Sequence, residues 1–343
     1  MRKNLSQKKK VIISELERGE DSPFGLLFKK LQQQTMKGTT YAWPIIGYRD
    51  TINSFTREDI TNYIKKHYQP QQMLLVVCGD IDEKAVLAEA EKLYGSLENT
   101  ANVTPPSVVN IDKLDMTGPN IQVVEGKWNK VYLGISFPIP GFDDVNTTGL
   151  DMLAQLMGGD KTSPFYRKYQ YEKQLVDAIS VSAYSFERAG LIYITAVLDA
   201  DKLDEFWPEL MKDLRNLKAS EFKDEDMARV RLNLEDSLFR SKETLSGLTS
   251  KIGMFEFFFG GEQGEQNYLD EVDNVNREQL QNLIDTYLKP EHLQATVLAP
   301  QDGEVSGTTL TAQVVKNWES KRCCKKTADC KRHHRRKGSY RSR

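Results

Sequence analysis

The chain has 343 residues, 39% hydrophobic and 28% charged, a composition that excludes a disordered or fibrous protein and is long enough for two hydrophobic cores. The formal net charge of −2 hides an asymmetry: residues 320–343 hold eleven Lys and Arg against one acid, Asp329, which leaves 36 basic and 48 acidic residues, near −12, in the rest. An acidic body offers no folded basic face to nucleic acid, so a nucleic-acid partner is not expected.

Residues 9–33 read as a long amphipathic helix. Val11, Ile12, Leu16, Leu27, Phe28 and Leu31 fall at helical spacing, and Asp21-Ser22-Pro23 interrupts them because the proline ring cannot continue a helix. Residues 41–48, with Trp43-Pro44 and Gly47, read as an irregular crossing segment. A helix is predicted over 54–67, with Thr56 as N-cap and Asp59 at the third helical position. The apolar run 73–78 predicts a strand ended by Gly79-Asp80, with Cys78 buried inside it. A further helix over 82–94 closes at Gly95. The polar, Pro-containing stretch 98–119 reads as a joint. Beyond it come strands at 121–124 and 130–138, a helix at 147–157 ending in Gly158-Gly159, and a helix at 163–175. A hairpin of strands at 178–184 and 190–197 follows, then helices at 201–216 and 224–241. Hairpins and grouped helices, rather than strict βαβ alternation, indicate an α+β fold.

The chain also repeats itself. FTREDITNYIKKHYQPQQMLLVVCGD at 55–80 and VNREQLQNLIDTYLKPEHLQATVLAP at 275–300 align without a gap at an offset of 220. Arg57/Arg277, Glu58/Glu278, Asn62/Asn282, Ile64/Ile284 and Pro70/Pro290 are identical. The helix at 224–241 matches the one at 9–31 at about the same offset. A period this long indicates two duplicated domains rather than a solenoid. Only 54 residues precede the first copy of the motif, against roughly 170 between the joint and the second, so the first domain is expected to lack about its first half. The expected layout is an incomplete first domain at 1–100, a linker at 101–119, a second domain at 120–318 and a basic, disordered tail at 319–343. The missing half should leave Val11, Leu16, Leu27 and the 73–78 strand with apolar faces exposed.

Catalytic groups are sparse. The four His are at 67, 292, 333 and 334, and neither H-E-x-x-H nor its inverse occurs, nor a nucleophile elbow, Walker loop or dinucleotide fingerprint. The tail places Cys323, Cys324, Cys330, His333 and His334 close together, but the CC-x5-C-x2-HH order does not match structural zinc spacing. No window approaches the ~18 apolar residues of a membrane span. The basic start, MRKNLSQKKK, is followed by no apolar leader run.

The strings VIISELERGEDSPFGLLFKKL, YAWPIIGYRDTINSFTREDITNYIKKHYQPQQMLLVVCGDID and AEKLYG resemble the second half of the catalytic-type domain of M16 (pitrilysin/insulinase-type) zinc metallopeptidases. The resemblance is to the bacterial two-domain branch related to mitochondrial processing peptidase. Residues after the linker, to about Pro300, resemble that family's C-terminal domain. The resemblance implies two homologous α/β sandwich domains, the first incomplete. It also implies a zinc ion held by an H-x-x-E-H helix and by a Glu on a later helix, with the motif Glu as general base on the zinc-bound water. The H-x-x-E-H segment has no match here, and the later ligand corresponds to Glu15 in VIISE. The position seven residues earlier, often a supporting Glu in the family, is Lys8. An Arg and a Tyr that grip substrate in active single-chain members, in the order R-x-x-x-x-L-x-Y, fall on Gln170 and Asp177. Arg167 and Tyr184 would serve only in a shifted alignment.

The resemblance therefore implies part of a zinc-dependent peptidase, with zinc in the intact family and none bound by this chain. It implies an Arg/Tyr-bearing M16 partner subunit, and unfolded peptides as substrate that add a strand to a sheet edge. The alternative is a non-catalytic scaffold subunit of such a heterodimer. The compartment would be periplasmic if a leader precedes the chain, and cytoplasmic otherwise.

Overall fold

The computed structural model describes residues 2–100, 102, 118–142, 144–301 and 303–318. Nearly all of the expected linker at 101–119 and the whole tail with its Cys and His cluster lie outside the described residues.

The first copy is helical. α1 (Arg2–Asp21) and α2 (Pro23–Thr35) meet at Ser22, whose hydroxyl caps α2 by accepting from the Gly25 N–H at 3.3 Å. The break falls where Pro23 at the first helical position predicts it. α3 (Arg49–Ser54) is short. α4 (Arg57–His67) starts on a full capping box in which Thr56 and Asp59 bond each other's backbone N–H, as the sequence indicates. α5 (Glu83–Tyr94) is capped by Asp82 and ends at Gly95.

The second copy holds the sheet. β1 (Asn120–Gly126), β2 (Val131–Pro140), β3 (Ala178–Ser185), β4 (Ala189–Leu198) and β5 (Gln294–Pro300) lie in the order β1-β5-β2-β4-β3. β5 runs parallel to β1 and antiparallel to β2, while β2, β4 and β3 are antiparallel neighbours. The helices are α6 (Thr147–Gly158), α7 (Leu203–Asn216), α8 (Asp224–Arg240), α9 (Leu245–Phe259), α10 (Glu262–Asn274) and α11 (Arg277–Tyr287). Another helix spans 307–318. α9 and α10 are not among the sequence predictions. Gly260, at φ 74°, ends α9 in the left-handed region that glycine adopts without a Cβ penalty.

The alternation of β2 separates the two faces of the sheet. Leu133, Ile135, Phe137 and Ile139 point into the main core with Leu150, Phe206, Trp207, Leu280 and Ile284 from α6, α7 and α11. The intervening residues meet α2. Leu27 and Leu31 pack so closely over Gly134 that an added Cβ would lie 3.2 Å from each. Thr35 Oγ1 bonds Ser136 Oγ at 2.5 Å, and Thr296 on β5 donates to Gln34 Oε1 at 3.1 Å. A helix of the first copy thus covers the outer face of the second copy's sheet.

Several expectations are corrected. Leu16 and Leu27 are buried, Leu27 because α2 docks on this sheet, and only Val11 of that trio is open. Residues 73–78 form no strand, and Cys78 is half-buried outside any sheet. A strand exists only through ladder bonds to neighbours, and the described residues set no strand beside this segment. The helix expected at 163–175 is a π-helix over Tyr166–Glu172.

Candidate functional site

Glu15 sits on α1 with its side chain exposed, and the described residues give it no ion pair or hydrogen bond. Its neighbours on the helix are tied elsewhere: Lys9 Nζ donates to the Asn53 carbonyl at 2.7 Å, and Glu17 pairs with Arg49 at 2.9 Å. Catalytic zinc needs three protein ligands and an open position. Among the described residues no group of three or more His, Cys, Asp or Glu could hold a metal ion. The described residues therefore do not fit zinc.

Gln170 lies half-buried on the π-helix. Asp177 enters β3, and its N–H donates to the Val197 carbonyl at 2.7 Å. Its carboxylate pairs with Lys130 Nζ at 2.7 Å, and the same ammonium holds Asp199 at 2.8 Å. Hydrogen bonds to the two carboxylates raise the Lys130 pKa above its usual value, and the bond from Lys130 lowers that of Asp199. Asp177 thus ties strand ends together rather than offering a free group to a ligand. Arg167 is exposed and 3.9 Å from Glu172. Tyr184 stacks edge-on against Phe28 and Phe186. The geometry does not gather these four side chains with Glu15 into one cluster.

A different site emerges between α6, α8, α9 and α10: a cleft of about 750 Å³. One wall is aromatic, with Phe142 packed 4.8 Å from Phe258 and 5.1 Å from Phe259. The other is polar. Thr148 Oγ1 donates to Glu271 Oε2 at 2.6 Å, and Asp151 and Tyr268 complete it. Asp151 keeps part of its surface open to the cleft, but the surrounding protein enfolds it and pushes its carboxyl up to about 7. Burial also pushes the Tyr268 phenol up, and the charges of Asp151 and Glu271 add to it. Such a cleft suits an apolar group carrying a hydrogen-bond donor. Sequence reasoning missed it, although one signal was present: Asp151 is a lone acid between Leu150, Met152 and Leu153 on an otherwise apolar helix.

The duplication connects this cleft to Glu15. Around the first helix pair the register is 222: Ser22 and Thr244 both cap by accepting from the N–H of Gly25 and Gly247, and Leu16 and Leu238 are both buried, at 5% and 6% exposure. In that register Glu15 corresponds to Ser237, and Ser237 lines the cleft opposite α6. The described part of the first copy has no counterpart of α6.

Solved structures show what class of fold this is. A protease from Helicobacter pylori superposes with a TM-score of 0.76 at 19% identity, over 88% of this chain and 73% of that one. A peptidase M16 inactive domain from Pseudomonas fluorescens gives 0.71 at 14% identity, over 89% and 73%. The chain has the fold of M16-like peptidase domains. The family model described as the peptidase M16 inactive domain matches residues 54–234, and the chain belongs to the M16 peptidase family. A zinc protease of Rickettsia felis is 23% identical over 81% of this chain and 66% of its own length. A probable mitochondrial-processing peptidase subunit beta of Arabidopsis thaliana is 20% identical over 86% and 57%. The chain thus spans somewhat less than two thirds of the length of these curated relatives. No described helix is long and apolar enough to cross a membrane.

Proposed function

We propose that this chain serves an M16 zinc metallopeptidase by framing the peptide-binding space and contributing Glu15, without itself building the zinc site. The observation that carries the reading is the match of the M16 inactive-domain model across both the end of the first copy and the start of the second. The names of the relatives, zinc proteases and a processing-peptidase subunit, support zinc-dependent peptide hydrolysis as the activity of the whole assembly. In this reading residues 120–318 form the second domain, unfolded peptides are the substrate, and an M16 subunit bearing the Arg/Tyr pair replaces what Gln170 and Asp177 lack. Glu15, the counterpart of the cleft-lining Ser237, would complete a metal site only when His ligands face it.

The test is zinc content together with hydrolysis of a quenched, unstructured peptide by the purified chain. The expected result is no stoichiometric zinc and no chelator-sensitive cleavage. One zinc per chain with chelator-sensitive turnover would overturn the reading.

A further inference from the structure

The cleft between α6, α8, α9 and α10 encloses a carboxyl without a partner. Asp151 lines it, and among the described residues its side chain makes no hydrogen bond and no ion pair. Burial alone pushes the carboxyl up to about 7, and no neighbouring cation holds it down. A carboxylate enclosed without a partner is costly, and a cleft that holds one is a candidate ligand site. α6 buries Leu150, Met152 and Leu153, while Asp151 and Thr148, three residues apart on one face, both line the cleft.

The remaining groups narrow the chemistry. Glu271 already accepts from Thr148, and Asp144 accepts from the Asn146 side chain. Tyr268 of α10 lies near enough for the charge of Asp151 to act on its phenol, and its hydroxyl makes no hydrogen bond among the described residues. Lys251 of α9 is the one cation in the described lining, against the acids Asp144, Asp151 and Glu271. The lining is therefore net negative. The opposite wall is aromatic: Phe142 meets Phe258 and Phe259, and Phe255 lies 5.5 Å from Phe259. A carboxylate beside aromatic faces is the combination that recognises an ammonium group on an apolar body. An anion would meet the acids, and a purely apolar ligand would leave Asp151 unpaired. At about 750 Å³ the cleft can enclose a small molecule.

We propose that this cleft binds an apolar primary amine, its ammonium donating to the Asp151 carboxylate and the Tyr268 oxygen and its apolar body lying against Phe142, Phe258 and Phe259. An alkyl amine stays protonated to about pH 10. Asp151 in the empty cleft gives up its proton only near pH 7, so binding strengthens as pH rises through 7 and the proton leaves Asp151 for solvent as the ammonium arrives. The site does not rest on the functional reading, because it needs neither zinc nor Glu15.

The probe is 4-phenylbutylamine, titrated calorimetrically into the full chain at about 0.15 M salt, which screens the surface acids. The expected result is 1:1 binding at pH 8 that weakens about 30-fold at pH 5.5, as the ionised fraction of Asp151 falls from about nine in ten to about one in thirty. 4-Phenylbutanol, of the same shape without the charge, should bind about tenfold more weakly at pH 8. Asp151→Asn should remove both the pH slope and the preference for the amine. Phe258→Ala, at a ring 43% exposed, should weaken amine and alcohol alike, and Lys161→Glu, exposed and outside the cleft, should change neither. A capped pentapeptide with a lysine between two phenylalanines separates the sources of this chemistry. Binding tighter than the amine's, and lost in Asp151→Asn, assigns the ammonium to a peptide side chain, and weaker binding assigns it to a small amine. No saturable binding of amine or peptide at pH 8, equal binding of amine and alcohol, or an amine affinity unchanged by Asp151→Asn overturns the proposal. So does tighter binding of 4-phenylbutyrate, which would place the ligand on Lys251 instead.

Discussion

Asp151 is a carboxyl that burial holds well above the ordinary carboxylate range. A carboxyl held near pKa 7 in the folded chain and near 3.8 when unfolded binds its proton more tightly in the native state. Stability from this group is therefore fully present below pH 4 and is lost as pH rises through 7. Asp151→Asn keeps the shape and removes the charge, so it should flatten that decline. The variant should gain over the parent at pH 8, with an upper bound on the order of 4 kcal/mol from a shift of about three pKa units, and gain little at pH 4. Denaturant midpoints measured at both values check this. An equal gain at both would mean that the Asp151 carboxyl is not desolvated. Glu15 is the opposite case: an exposed carboxylate that no described residue engages, marked in the sequence by its place in VIISE and in the structure by its counterpart Ser237, which lines a cleft.

At the scale of elements, α2 is the joint between the copies, and Leu31 is its most enclosed contact with the sheet, at 0% exposure. Leu31→Ala should cost roughly 2–5 kcal/mol, as large-to-small changes in packed cores do. Gly134→Val fails for the opposite reason, overpacking under Leu27 and Leu31, at about 1–3 kcal/mol. Both should appear as lower midpoints in urea, and a Leu31→Ala midpoint equal to the parent's would show α2 to be loosely attached. The break at Pro23, the cap at Thr56, the closing Gly95 and the alternating strands β2 and β4 were all legible in the sequence, because each depends on local backbone chemistry. The burial of Leu27 was not, since it comes from a sheet more than a hundred residues away. Residues 73–78 failed as a strand for the complementary reason. Val77 and Val297 are the same residue in the same repeat, and among the described residues only the second has strand neighbours to pair with. The cleft was hidden because it joins α6 to α10 across long separation in the chain, and the sequence predictions omitted α9 and α10 altogether.

At the scale of the whole molecule, stability should be unevenly distributed. Residues 120–318 carry the sheet with its main core, including the fully buried Trp207, whose indole N–H donates to the Leu310 carbonyl at 3.2 Å and ties in the helix at 307–318. In α4 and α5 no residue is fully buried. Leu74, Leu87 and Leu93 are exposed at 44%, 61% and 56%, where burial would contribute about 1.5–3 kcal/mol for each side chain. Local opening should therefore be cheapest across residues 57–95. α2 is held by the sheet and should behave with the second copy rather than with α4. Limited proteolysis of the full chain is expected to cut first within 57–95, leaving a core in which 23–36 stays associated with 120–318. Resistance of 57–95 equal to that of the sheet would show that this stretch is already covered. Release of 23–36 together with it would show instead that the copies divide at the linker rather than across the α2 contact.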